Sequence, residues 1–214
     1  MGLSIPKQYY IVKGIPIILY SIRRFAYSGL IDKIVIVLSE EWRHFIEVWL
    51  SKEHLNCEVL FAQAGCSRQH SVLSGLEVLN QFAAEDDLVL VHDAVRPLFP
   101  SSNIIDGIDA CSQYDGALPV IRVKDATYQS RDGERLTSLL PRQDLFSGQS
   151  PECFIFGKLL KAHALFANDE IMSIRGCAEL AFKAGLSVRF IPGTENNYKL
   201  TTIEDLRAFE LSVE

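Results

Sequence analysis

The residues best suited to chemistry begin at Leu88–Pro97, LVLVHDAVRP, where four apolar residues run into His92, Asp93 and then Arg96. A carboxylate and a guanidinium at the end of a buried strand suit a phosphorylated substrate, with or without a metal, because ligands of open α/β sheets bind beyond the carboxyl ends of the strands. A loop salt bridge accounts for the same pair without any ligand. Pro6-Lys7-Gln8-Tyr9 holds a lysine after a proline, ahead of the first helix, where it can bring a point charge to a phosphate; an ordinary surface lysine is the plainer reading. Gly65-Cys66-Ser67-Arg68-Gln69-His70-Ser71 falls between a strand and a helix. Free backbone N–H groups and the positive helix end suit the polar edge of a nucleotide there, while Ser67 can equally be a simple helix cap. Last comes Asn197-Tyr198-Lys199-Leu200-Thr201-Thr202, followed by Glu204-Asp205-Leu206. Thr202 is placed to cap a final helix, leaving Lys199 at the end of an extended segment.

The elements that must position these groups alternate between strand and helix. Apolar spacing predicts helices over 15–28 (Ile18, Ile22, Phe25), 40–52 (Trp42, Phe45, Ile46, Trp49), 67–82, 101–112, 157–166, 178–184 and 203–211. Short apolar runs predict strands over 34–38, 59–62, 88–92, 117–121 and 188–191, with 197–200 extended. The aromatics of 40–52 read as core rather than as a binding platform. The alternation breaks at 122–149, where YQSRDGERL predicts a hairpin turning at Asp132-Gly133 and projecting from the domain. The pattern is that of an α/β sandwich with a mainly parallel sheet, the four apolar residues 88–91 forming one fully buried parallel strand.

Composition narrows the function. The hydrophobic fraction of 48% supports a packed core, and a net charge of −6 without a lysine-rich run argues against a broad nucleic-acid surface. No apolar run approaches a membrane span and no signal-peptide core opens the chain, so a soluble, cytoplasmic protein is expected. Cys57, Cys66, Cys111, Cys153 and Cys177 are scattered, without a CxxC pair. Reduced thiols are expected rather than a zinc site or a disulfide framework.

In order, PKQY, the glycine–Arg68…Ser71 turn, VHDAVRP, GQSPECF and NYKLTTIEDL resemble the cytidylyltransferases that act on sugar-alcohol phosphates. That family joins 2-C-methylerythritol 4-phosphate cytidylyltransferase with ribitol-5-phosphate cytidylyltransferase, and the resemblance covers nearly the whole chain. It implies a Rossmann-like three-layer sandwich, a single nucleotidyltransferase domain over 1–214 with an arm at about 122–150. The implied reaction is attack of a polyol phosphate on the α-phosphorus of CTP, giving a CDP-polyol and pyrophosphate, with Mg²⁺ carried on the triphosphate. Lys7 and Lys199 align with the family's two catalytic lysines near the α-phosphate, Gly65 and Ser71 with residues that read cytosine and ribose, and Asp93 and Arg96 with the polyol-phosphate site. Arg142 aligns with an arginine near the same phosphate, and the arm with one that crosses a homodimer to complete the partner's site. The acceptor implied is 2-C-methyl-D-erythritol 4-phosphate, for isoprenoid precursor synthesis; ribitol 5-phosphate, giving CDP-ribitol for cell-surface polymers, is the alternative.

Three departures stand out. The family opens with a strand and a glycine-rich loop, roughly AAGxGxRMG, ahead of PKQ. Here Met1-Gly2 matches only the tail of that motif, so the first strand and phosphate loop are expected to be missing and turnover to be poor. Asp125-Ala126 stands for Asp-Thr, leaving Thr127 as the nearby hydroxyl. Finally, the segment Ser173–Glu179, SIRGCAE, replaces an acidic TDDAS-like stretch, and GQSPE replaces AQTPQ; both bear on the acceptor more than on the nucleotide. A non-catalytic relative that binds a nucleotide or only dimerises is the competing reading. A dinucleotide-dependent oxidoreductase is disfavoured, since no GxGxxG follows a strand.

Overall fold

Residues 5–213 are described in the structure, a computed structural model. The motif tail expected at Met1-Gly2 lies outside them. After a 3-10 turn at Lys7–Tyr9, the chain forms a small hairpin of β1 (Ile11–Val12) and β2 (Ile15–Pro16). Next come α1 (Ile17–Ala26), β3 (Lys33–Leu38), α2 (Arg43–Leu50), β4 (Glu58–Gln63), α3 (Arg68–Leu79), β5 (Leu88–Val91), α4 (Ser102–Ala110) and β6 (Gly116–Arg122). The arm carries β7 (Tyr128–Gln129) and β8 (Ser138–Leu139), and the chain returns through β9 (Phe146–Gly148) and β10 (Glu152–Ile155). It finishes with α5 (Phe156–His163), α6 (Asn168–Ser173), α7 (Cys177–Lys183), β11 (Val188–Pro192) and α8 (Ile203–Ser212).

The expected α/β architecture is present, but the sheet is mixed rather than mainly parallel. β3 pairs parallel with β4, and β11 parallel with β6, whereas β10 runs antiparallel to both β5 and β6, and β9 antiparallel to β6. The arm is the cause. The chain leaves β6, turns through the hairpin and comes back along the same sheet in the opposite direction, so β9 and β10 run antiparallel to β6. The fully buried parallel strand expected at 88–91 is corrected accordingly. Its pairing is antiparallel, Glu152–Ile155 against Val91–Leu88, and Leu88 is 37% exposed. The turn expected at Asp132-Gly133 is present. Asp132 Oδ1 accepts the N–H groups of Glu134 and Arg135, and Gly133 takes φ +79°, a conformation that favours glycine.

Strand alternation sets helices on both faces. Successive residues of β10 point oppositely. Cys153 meets Cys111 and Gly107 of the α4 side, while Phe154 belongs to a cluster with Leu76 of α3, Leu159 of α5 and Leu180 of α7. A second cluster joins Ile18 and Ile22 of α1 to Ile36 of β3 and Ile46 of α2. As expected, the aromatics of 40–52 serve this core, with Trp42 stacked on Tyr9 at 4.4 Å between ring centroids.

Between β3 and β5 the ladder is interrupted. The carbonyls of Asp32 and Leu38 accept from Glu58 and Ala64, which turns the peptide groups of Lys33, Val35 and Val37 to the opposite edge of β3. Among the described residues no strand pairs with that edge, nor with the outer edge of β5. Side chains bridge the interval. Ile34 of β3 and Leu90 of β5 pack on one cluster of Phe25, Phe99 and Ile104.

Candidate active site

Segments distant in sequence meet at the carboxyl end of β5. Asp93, two residues past Val91, is the hub. Its Oδ1 lies 3.4 Å from Arg68 Nη2, and its Oδ2 lies 3.5 Å from Arg96 Nε and 3.1 Å from Lys199 Nζ. Burial works to raise the Asp93 carboxyl, but the charges of Arg68, Lys199 and Arg96 outweigh it and hold the group below its ordinary value. Asp93 is therefore a carboxylate at neutral pH.

Each partner arrives on a different support. Arg68 opens α3, where Ser67 caps the helix by accepting the His70 N–H at 3.4 Å, so the plain cap reading of Ser67 holds. Arg96 folds back within its own loop, its N–H donating to the Asp93 carbonyl at 2.9 Å and its Nη1 to the Asn197 carbonyl at 2.7 Å. Lys199 sits on an extended strap sewn to this loop by Leu200 N–H to the Val95 carbonyl, 2.9 Å. Buried Asn197 donates to the Ser150 carbonyl at 2.8 Å, and Thr202 caps α8 with Asp205 reciprocating. Lys7 reaches the same strap, Nζ donating to the Thr201 carbonyl at 2.8 Å. The 3-10 turn that carries Lys7 is anchored by buried Tyr9 on Trp42.

His92 ties the loop to the core. It lies between Phe25 and Phe99, at 5.2 and 4.5 Å between ring centroids. One polar chain fixes its tautomer. The Asp93 N–H donates to Ser150 Oγ (3.0 Å), Ser150 Oγ–H donates to His92 Nδ1 (3.1 Å), and His92 Nε2–H donates to the Arg96 carbonyl (3.1 Å). Burial pushes the imidazole down to about 4, so it is neutral throughout the working range. A depressed folded value means the unfolded chain binds the extra proton first. Stability is thus full above about pH 6.5 and declines as pH falls toward about 4. Proton NMR should find the His92 ring resonances flat from pH 8 to pH 5; a midpoint near 6.5 would contradict the buried neutral ring.

Gly65 and Ser71 come together as expected. The Gly65 N–H donates to Ser71 Oγ at 3.0 Å. A Cβ at position 65 would stand 2.5 Å from His70 Cβ and 2.9 Å from Ser71 N, so the turn closes only on glycine. Arg142 does not join the cluster within one chain. It lies in the arm, its Nη1 donating to the Lys124 carbonyl at 2.8 Å. Thr127 is also in the arm, half-buried, with its hydroxyl toward the Asp125 carbonyl.

Two residues given no role by sequence reasoning complete the site. Arg68 is one. Glu152 is the other: at 4% exposure it accepts Arg68 Nη2 on Oε1 (3.2 Å) and the Ala178 N–H on Oε2 (2.7 Å). Burial pushes the Glu152 carboxyl up, against the pull of Arg68. Cys177 Sγ lies 3.5 Å from Arg68 Nη1, and burial, with the charge of Glu152, pushes its thiol up to about 12, leaving it neutral. A signal for Glu152 existed in the sequence. An acid inside the run PECFIF must be buried by its neighbours, and a buried acid requires a cation.

Three cations around two carboxylates, with Lys7 alongside, make an electropositive rim fitted to phosphate oxygens. Among the described residues no group of three or more His, Cys, Asp or Glu side chains is placed to hold a metal, and no helix is long and apolar enough to cross a membrane.

Known proteins share this sequence and fold. The chain is 33% identical over 207 residues to the 2-C-methyl-D-erythritol 4-phosphate cytidylyltransferase of Clostridium novyi, covering 96% of this chain and 87% of that protein. A crystal structure described as 4-diphosphocytidyl-2C-methyl-D-erythritol synthase superposes with a TM-score of 0.83 at 26% identity, covering 98% of this chain and 95% of the other. The 2-C-methyl-D-erythritol 4-phosphate cytidylyltransferase of Thermus thermophilus gives 0.77 at 25% identity, covering 97% and 93%. The family described as IspD, 2-C-methyl-D-erythritol 4-phosphate cytidylyltransferase, matches residues 1–214. With fold, relatives and sequence in agreement over the whole length, the chain belongs to the 2-C-methyl-D-erythritol 4-phosphate cytidylyltransferase family.

Proposed function

We infer that this chain transfers CMP from CTP to 2-C-methyl-D-erythritol 4-phosphate in isoprenoid precursor synthesis. An oxygen of the acceptor phosphate attacks the α-phosphorus of CTP, a new P–O–P link forms, the bond to the β-phosphate breaks, and pyrophosphate leaves. Charge accumulates on the α-phosphoryl oxygens, so the protein's work is positioning and electrostatic stabilisation. Lys7 and Lys199 serve the triphosphate, Gly65 and Ser71 the cytidine, and Asp93 and Arg96 the acceptor. The observation that carries this reading is the convergence of Lys199, Arg68 and Arg96 on the single carboxylate of Asp93. Mg²⁺ enters on CTP as part of the substrate.

The test is pyrophosphate release from CTP by the purified chain with 2-C-methyl-D-erythritol 4-phosphate, ribitol 5-phosphate, or no acceptor. Release dependent on the first acceptor is the expected result. No acceptor-dependent release overturns the reading, and preference for ribitol 5-phosphate transfers it to the other branch.

We further propose that the chain works as one nucleotidyltransferase unit, in a cytoplasmic homodimer joined by the arm. Free thiols at all five cysteines fit a reducing compartment. On the arm, Tyr128, Leu136 and Leu139 are 62%, 60% and 70% exposed, more apolar surface than a lone hairpin gains by showing to water. Dimerisation would cover it and carry Arg142 toward the partner's acceptor phosphate. Sedimentation should show a dimer that becomes a monomer on combining Leu136→Asp with Leu139→Asp; a monomeric parent protein would refute the assignment.

A further inference from the structure

We propose that Glu152 is a positioning residue for the acceptor, acting through Arg68 on Asp93; this rests on the assignment of Asp93 and Arg96 to the acceptor phosphate. The geometry is that of a shared donor. One nitrogen, Arg68 Nη2, faces Glu152 Oε1 at 3.2 Å on its inner side and Asp93 Oδ1 at 3.4 Å on its outer side. The guanidinium is thus held in balance between two carboxylates. The inner one is immobile, because Glu152 is 4% exposed on a sheet strand and its other oxygen is taken by the Ala178 N–H. The outer one is the hub of the rim, its second oxygen 3.5 Å from Arg96 and 3.1 Å from Lys199.

Glu152 therefore sets how strongly Arg68 pulls on Asp93. With a neutral side chain in its place, the inner bond loses its charge assistance. The guanidinium then moves outward onto Asp93 and draws that carboxylate away from Arg96 and Lys199. Arg96 keeps its bond to the Asn197 carbonyl but loses the anion that orients its Nε edge. The acceptor would meet a rim whose phosphate-binding arginine is mis-aimed, while the cytidine turn at Gly65–Ser71, held by its own Gly65-to-Ser71 hydrogen bond, is untouched.

The test is Glu152→Gln in the full chain, with steady-state kinetics in both substrates and thermal melting. The expected result is a rise of at least tenfold in KM for 2-C-methyl-D-erythritol 4-phosphate, with KM for CTP changed less than threefold. A purely structural role for Glu152 would not distinguish the two substrates. An acceptor KM within threefold of the parent value, or equal rises in both constants, overturns the proposal. Should the glutamine variant fail to fold, Glu152→Asp keeps the charge but withdraws the carboxylate from Arg68 Nη2. The same acceptor-selective rise is then expected, and an unchanged acceptor KM overturns the proposal. Calorimetry separates this proposal from the reading beneath it. A parent protein that neither turns over nor binds the acceptor sinks the functional assignment. A parent that binds the acceptor, with Glu152→Gln binding it as tightly, sinks only the role of Glu152.

Discussion

Lys199→Ala lowers kcat by about 10²–10³-fold, the usual effect of removing one preorganised donor from a developing oxyanion. The side chain is 44% exposed, and its ion pair among the described residues is with Asp93, which keeps Arg68 and Arg96 when the lysine is removed. The loss should therefore appear in turnover with the melting temperature nearly unchanged. Its ammonium is delivered by a strap fixed through Leu200 to Val95, so an alternative lysine cannot easily take its place. Steady-state measurement of pyrophosphate release is the check, and unaltered turnover would remove Lys199 from the mechanism.

Arg68→Met should cost about 3–5 kcal/mol of stability, because it strips the cation from a buried acid rather than from a surface pair. Glu152 would keep only the Ala178 N–H, and Asp93 would lose one of three cations. The deficit carries a pH signature. Burial already pushes the Glu152 carboxyl above its ordinary 4.5, and without Arg68 nothing of comparable strength opposes that push. A raised folded value makes the native state hold the proton longer than the unfolded chain. The variant is thus least impaired below about pH 4.5 and loses stability as pH climbs through the folded value. Urea denaturation at pH 5 and pH 8 should show the gap from the parent protein widening at the higher pH. Adding Glu152→Gln should recover most of the loss. A penalty below about 1 kcal/mol, flat with pH, would mean that Glu152 carries no buried charge.

Local pattern made the helices and most strands legible. Ile18, Ile22 and Phe25 mark α1, and Ser67 and Thr202 announce α3 and α8, because caps and apolar spacing act over a few residues. Strand direction was not legible. Leu88–Val91 looks the same whether its neighbour runs with it or against it, and that neighbour, β10, lies in the run Glu152–Ile155, too short and too mixed to declare itself. The helix α6, Asn168–Ser173, is polar and brief and left no periodic trace. At the site, Lys7, Asp93 and Lys199 were found through the order of motifs, not by spacing, since nothing local links residues so far apart. Arg68 and Glu152 escaped because they meet across 84 positions, which no local pattern links. Arg142 aligned with the acceptor site yet stays in the arm, its Nη1 on the Lys124 carbonyl, because an alignment carries no information on where a projecting hairpin comes to rest.

The bond from Lys7 to the Thr201 carbonyl spans 194 positions. Contacts of such separation pay their loop-closure entropy before they return anything, so they form late in folding. The rim is consequently among the last parts to assemble, and nascent chains stay catalytically silent until the strap has emerged and settled. The order reverses on heating. If the strap and α8, which share a small cluster of Leu200, Leu206 and Phe209, open before the larger clusters, activity should fade at a temperature below the cooperative melting of the core.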